Sequence, residues 1–249
     1  MMAGVLHERV ILVTRPEGEA TAQAVRHLGG IPLLAPVLEM APPDDQGPLH
    51  EALRLLDHYD AVVVTSLQGA RVLRDLWPLV PFPAQDRRLF AVGQRTAAPL
   101  RQAGHQVQVP PQAGDARDLA RWMVTAWPGL QRVLFLRAAE GREELEEGLR
   151  AAGVEVERVA AYQARPVASL PAPALAALRQ REVHGIPLFS GRSAEVFFDL
   201  ADRDAPGWRP GVLLAALSPV TAQAMAQRGY PADRVAPHPE MQALLRVLI

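Results

Sequence analysis

Apolar residues in this chain come in short, nearly unbroken runs, such as VVV at 62–64, VLFL at 133–136 and VLLAA at 212–216. A strand with one face in water alternates apolar and polar positions, whereas a strand buried on both faces does not, so these runs read as interior strands of parallel sheets. The pattern predicts strands near 9–14, 31–38, 61–64, 89–92, 106–109, 132–136, 154–162, 186–189 and 211–216, with helices in the gaps. Four of those helices stop at a glycine followed at once by a strand, Gly30, Gly104, Gly153 and Gly229, as expected where a helix ends in a left-handed residue. Parallel strands need crossover connections, which place helices on both sheet faces.

The pattern is written twice. VVVTSLQGA at 62–70 is echoed by IPLFSGRSA at 186–194, and AVGQRTA at 91–97 by ALSPVTA at 216–222. Thr65 pairs with Ser190, Thr96 with Thr221 and Gly104 with Gly229, each 125 residues apart, while ILVTR at 11–15 matches LFLR at 134–137 at a distance of 122. An internal duplication explains this, and it predicts two similar α/β lobes whose equivalent loops face one another across a cleft. Two extended, proline-marked stretches, LAPVLEMAPP at 34–43 and VAAYQARPV at 159–167, lie at equivalent places and read as linkers. Two crossings imply a discontinuous first domain, 1–37 plus 165–249, and a second domain, 38–164, with linker strands near 35–43 and 159–167. WPLVPFPA at 77–84 reads as a surface loop.

Composition narrows the chemistry. The 26 basic residues are all Arg, against 27 acidic ones, and the chain has no Lys, Asn or Cys. That excludes Schiff-base and pyridoxal chemistry, a phosphate-loop lysine, thiol nucleophiles and cysteine metal sites. Balanced charge disfavours a nucleic-acid partner. The start of the chain runs through Glu8 and Arg9 into a short strand without a long apolar stretch, so a cytoplasmic protein with no membrane segment is expected.

Chemistry-bearing residues collect at strand-to-helix turns. Thr14-Arg15-Pro16-Glu17 has the form of a capping box, Ser218-Pro219 has a cap followed by proline, and Thr65-Ser66, Ser190 to Ser193 and Gly93 to Thr96 put small hydroxyls or bare backbone at helix starts. Each alone reads as a cap. Together they offer backbone N–H donors to a ligand carrying several carboxylates or phosphates, although no glycine-rich nucleotide fingerprint is present. The seven His show no metal-ligand spacing, and EELEE at 143–147, flanked by Arg142 and Arg150, reads as a solvated helix face. Only three Tyr occur, and Tyr162 lies in the second linker.

Seven short motifs in register with the half-chain repeat resemble uroporphyrinogen-III synthases: VTRP at 13–16, TSLQGA at 65–70, AVGQRTA at 91–97, LRAAEGR at 136–142, VAAY at 159–162, FSGRSA at 189–194 and LSPVTA at 217–222. Ser190-Gly191 and Ser218 depart from the family's usual Thr-Ser and Gly but keep small residues there. The resemblance implies two flavodoxin-like parallel-sheet domains joined by a two-strand linker, and closure of hydroxymethylbilane, a linear tetrapyrrole with eight carboxylates, to uroporphyrinogen III with inversion of ring D and loss of water. It implies no cofactor; no metal site and a monomer are expected besides. Matched to the family's motifs, Tyr162 is the expected catalytic residue, and Thr14, Arg15, Thr65, Ser66, Gly93, Thr96, Arg137, Ser190, Gly191, Ser193, Ser218 and Thr221 are the expected substrate-binding set. Loss of the hydroxyl from a hydroxymethylpyrrole leaves a stabilised azafulvene, so a protein that positions the chain and assists the leaving group suffices. The competing reading is a two-lobed small-anion sensor without catalysis; a nucleotide-sugar transferase is a weaker third.

Overall fold

A computed structural model describes residues 6–80, 88–112, 114–141 and 143–249, with Leu79 described by its backbone alone. The second half of the 77–84 segment and Arg142 therefore lie outside the described residues. The strands in chain order are β1 Val10–Val13, β2 Ile31–Leu34, β3 Leu38–Ala41, β4 Ala61–Val64, β5 Arg88–Ala91, β6 Val107–Gln108, β7 Arg132–Ala138, β8 Glu155–Pro166, β9 Val183–Leu188, β10 Leu213–Ala216 and β11 Arg234–Val235. The helices are α1 Glu19–His27, α2 Gly47–Arg54, α3 Leu67–Leu76, α4 Gln94–Gln102, α5 Ala116–Ala126, α6 Glu144–Ala151, α7 Ala172–Arg179, α8 Gly191–Asp204, α9 Pro219–Gln227 and α10 Met241–Arg246. The chain divides into two compact units, one formed by the segment up to Glu39 with Arg165–Ile249, the other by Met40–Ala164.

In the discontinuous unit a five-stranded parallel sheet has the order β11-β10-β9-β1-β2. Counted along this unit from its first strand, that is the 2-1-3-4-5 order of flavodoxin-like folds. The sheet of the continuous unit runs β3-β8-β7-β4-β5-β6, with β8 through β6 parallel. The repeat equates β7 with β1, β8 with β2, β4 with β9, β5 with β10 and β6 with β11. The two sheets then have the same spatial order, and the continuous unit is a circular permutant that starts at its third equivalent strand.

The unbroken apolar runs are explained by burial on both faces. In β4 all four residues are buried: Val62 and Val64 join Leu134, Leu136 and Leu73 on one side, and Ala61 and Val63 join Phe135, Leu119 and Met123 on the other. Truncating one such leucine to alanine costs about 2–5 kcal/mol in a typical core. In the discontinuous unit Ile11, Val25, Leu244, Leu245 and Leu248 form one layer. Elsewhere in that unit Phe197, Phe198, Trp208 and Tyr230 associate through their rings, and Asp202 accepts hydrogen bonds from the indole N–H and the Tyr230 hydroxyl.

Several boundaries differ from the sequence reading. The left-handed stop after α1 is Gly29 (φ 80°), not Gly30, whose lack of a side chain instead lets Val25 and Leu6 close to about 3 Å of where a Cβ would stand. Gly104, Gly153 and Gly229 do take positive φ. The strand expected over 31–38 ends at Leu34, β3 falls within the linker strand expected near 35–43, and the two-residue β11 is additional, held by the neighbouring β10 rather than by its own pattern. The acidic 143–147 stretch is not uniformly solvated. Glu146 is 4% exposed, ion-paired to Arg150 one turn on and 3.8 Å from Arg158 of β8.

Candidate functional site

Parallel sheets present ligands to the loops at the carboxyl ends of their strands, foremost where the strand order reverses. In the continuous unit that point lies between β4 and β7, in the discontinuous unit between β9 and β1. The sequence-predicted residues fall on these edges in both units.

Four helix starts there share one geometry. Ser66, Gly93, Ser190 and Ser218 are extended N-caps of α3, α4, α8 and α9, and the three serine hydroxyls accept from Gly69, Ser193 and Thr221 N–H respectively. The extended cap leaves first-turn N–H groups pointing off the end of each helix, where the helix dipole favours anions. The register corrects one pairing: Ser66 and Ser190 are the equivalent caps, each two residues past its strand, so the partner of Thr65 is Phe189. Thr65 is half-buried beside its cap. Thr96 and Thr221 are buried in the first turns of α4 and α9, and the Thr221 hydroxyl is 3.1 Å from that of Ser218. Ser193 hydrogen-bonds Ser190 through its own hydroxyl at 3.0 Å. Gly191 has a packing reason: a Cβ there would come within 2.7 Å of Ala224, so glycine lets α8 approach α9.

Thr14 is not a helix cap. The helix starts at Glu19, capped by Gly18 without a side-chain bond, because the intervening turn folds back until Gly18 lies against Val13 and Leu34. Thr14 is instead fully buried at the end of β1; its carbonyl accepts from Val37 N–H, and its hydroxyl has no partner among the described residues. Next to it, Arg15 is exposed and stacks its guanidinium 4.6 Å from the centre of the Phe189 ring, joining the two loops at this unit's reversal point. Sequence reasoning passed over Phe189; a phenylalanine wedged between a strand and a serine cap, in a chain with only 5% aromatic residues, was the available signal.

Arg137 is the repeat partner of Arg15 but sits differently. It is 7% exposed, its Nε donates to the Ala138 carbonyl at 3.2 Å, and its Nη1 has no partner among the described residues. It borders an open cavity of about 500 Å³ lined also by residues 138–141, Glu143 and Arg158. A Cβ on Gly141 would stand 2.9 Å from Nη2, so the glycine makes room for the guanidinium. A buried guanidinium nitrogen without an acceptor is costly, and a carboxylate is the group that would satisfy it.

Tyr162 owes its orientation to a slip in register. Arg137 pairs with Ala160, but the next residue, Ala138, pairs with Tyr162, leaving Ala161 as the extra residue of a bulge. Bulges re-aim side chains, and this one puts both Ala161 and Tyr162 against the layer formed by Val64, Leu136 and Val159. There the phenol donates to Ser66 Oγ at 2.9 Å, the same oxygen that caps α3. Beside it lies a smaller cavity of about 210 Å³ between β3, α2 and α3. Among the described residues no cluster of three His, Asp or Glu could hold a metal ion, and no helix is long and apolar enough to cross a membrane.

Comparison with known proteins bears on the family and the fold. The uroporphyrinogen-III synthase HemD family model matches residues 19–246. The uroporphyrinogen-III synthase of Synechococcus elongatus is 29% identical over 86% of this chain and 84% of its own length. That of Escherichia coli K12 is 26% identical over 96% and 99%. Among solved structures, uroporphyrinogen-III synthetase from Helicobacter pylori shares the fold with a TM-score of 0.57 at 17% identity, covering 96% of this chain and 97% of that one. With all but the ends of the sequence matched, the chain belongs to the uroporphyrinogen-III synthase family.

Proposed function

We infer that this chain carries out its family's reaction, closing hydroxymethylbilane to uroporphyrinogen III with inversion of ring D and loss of water. The observation that carries the site assignment is Tyr162 held by a bulge against the cap of α3, a proton donor at the carboxyl edge of its sheet. In this reading Tyr162 is the proton source for the departing hydroxyl. The first-turn N–H groups of α3, α4, α8 and α9 receive substrate carboxylates, and the guanidinium of Arg137 receives another beside Gly141. Arg15 on Phe189 supports the same role in the other unit, where its exposed face is a cation already flattened on an aromatic ring. The enzyme is taken to work as a monomer in the cytoplasm. The chemistry asks for placement and one proton, not for a strong nucleophile, in keeping with a chain without Cys or Lys.

The test is incubation with enzymatically generated hydroxymethylbilane, followed by separation of the product isomers. Type III product formed well above the protein-free rate supports the reading; type I product alone, at the protein-free rate, refutes it.

A further inference from the structure

The hydrogen bond from Tyr162 to Ser66 fixes which of the two hydroxyls has a proton to give. A serine oxygen has two lone pairs and one proton. Here the lone pairs accept from Gly69 N–H at 3.0 Å and from the Tyr162 phenol at 2.9 Å, so both are filled. The Ser66 proton has no acceptor among the described residues. The phenol, the stronger acid of the pair, has its proton committed to Ser66 and presents only lone pairs elsewhere. A leaving hydroxyl that approached Tyr162 directly would meet an acceptor, while one that approached Ser66 would meet a donor.

Building on the proposed reaction, we propose that Ser66 is the residue that protonates the departing hydroxyl and that Tyr162 acts behind it in a two-proton relay. As the carbon–oxygen bond breaks, its electron pair stays on oxygen and the Ser66 proton completes a water molecule. The Tyr162 proton moves to Ser66 along the existing 2.9 Å bond, leaving a phenolate beside the developing azafulvenium cation. Ring closure and rearomatisation release one proton from the pyrrole skeleton; it returns to Tyr162, so the enzyme is restored and the balance is substrate to product plus water. Ser66 is positioned for this by two anchors: it caps α3, and it follows β4, which is buried on both faces.

Capping and proton transfer can be separated by substitution. Asparagine caps a helix about as well as serine, but its amide does not hand on a proton. Ser66→Asn should therefore fold with a urea midpoint close to wild type and lose activity, and Ser66→Ala, which drops the cap as well, should lose a similar amount. Relayed acid catalysis is worth roughly 10²-fold at the low end, so single-turnover rates of both variants should fall by about that factor with little change in substrate affinity. Ser66→Thr, with its hydroxyl retained, should recover to within about five-fold, the worth of one imperfect hydrogen bond.

Two readouts would not respond to a purely structural role. In mixtures of H₂O and D₂O the wild-type single-turnover rate should bow downward with deuterium fraction, as two protons in flight require, and become linear in Tyr162→Phe. The Ser66→Ala/Tyr162→Phe double variant should be no slower than Ser66→Ala. A Ser66→Asn enzyme at the wild-type rate, a linear wild-type plot, or penalties that multiply in the double variant would each overturn the relay. These results leave the reaction itself standing as long as the wild type makes the type III isomer; a wild type that makes none removes the reaction and the relay together.

Discussion

Gly93 caps α4 with an extended backbone, φ −169° and ψ 172°, and a Cβ built there meets nothing within 4 Å. Any residue adopts that conformation, so the fold does not require glycine. If substrate carboxylates approach the α4 amides closely, Gly93→Ala should leave the urea midpoint unchanged and raise KM about ten-fold, equivalent to ~1.4 kcal/mol of binding; an unchanged KM would take this turn out of the binding set. His105 tests a different kind of residue effect. It packs 4.6 Å from the Trp77 ring, and burial lowers its imidazole below the ordinary value. The folded state thus prefers the neutral ring, so its contribution is present above the unfolded value near 6.5 and is lost as pH falls from there toward the folded value. Urea midpoints at pH 7.5 and 5 should converge more closely in His105→Gln than in wild type, and equal slopes in the two proteins would contradict this. The serine caps were legible in the sequence because a hydroxyl ahead of an apolar helix has few other uses. Thr14 was not, since its Thr-x-x-Glu spacing imitates a cap and only the back-folded turn at Gly18 shows that the helix starts later.

At the scale of elements, glycine stops and apolar runs located most strands and helices, because burial on two faces and left-handed termini leave marks in local sequence. What local sequence did not carry is register. The extra residue in β8 exists only relative to β7, and strict alternation from Val159 and Ala161 would have turned Tyr162 to the opposite face. Glu146 departs from the sequence reading because its burial is set by packing, with Arg158 reaching it from the next strand, β8. The bulge can be tested by exchanging its two residues. In the double variant Ala161→Tyr/Tyr162→Ala the phenol moves into a position that is 1% exposed and already filled. Overpacking typically costs about 1–3 kcal/mol, so the urea midpoint should fall, and activity should drop at least to the level of Tyr162→Phe. Retained stability and activity would mean that the bulge does not place the hydroxyl.

For the whole molecule, the repeat predicts more than two similar lobes. Both sheets have the same spatial strand order although the chain enters them at different strands, which is how one unit comes to be continuous and the other split. The duplicated edges have diverged: one retains an exposed Arg15 on Phe189, the other a buried Arg137 and the Tyr162–Ser66 pair. On the proposed reading, that asymmetry would concentrate the proton chemistry in the continuous unit and leave anion binding to both. The measurement that tests this most directly compares wild type and Tyr162→Phe for rate and product isomer on freshly generated hydroxymethylbilane. The account predicts predominantly type III product from wild type, a rate lower by about 10²-fold in the variant, and a rising share of type I as uncatalysed closure without inversion competes. A Tyr162→Phe enzyme with the wild-type rate and isomer ratio would contradict it.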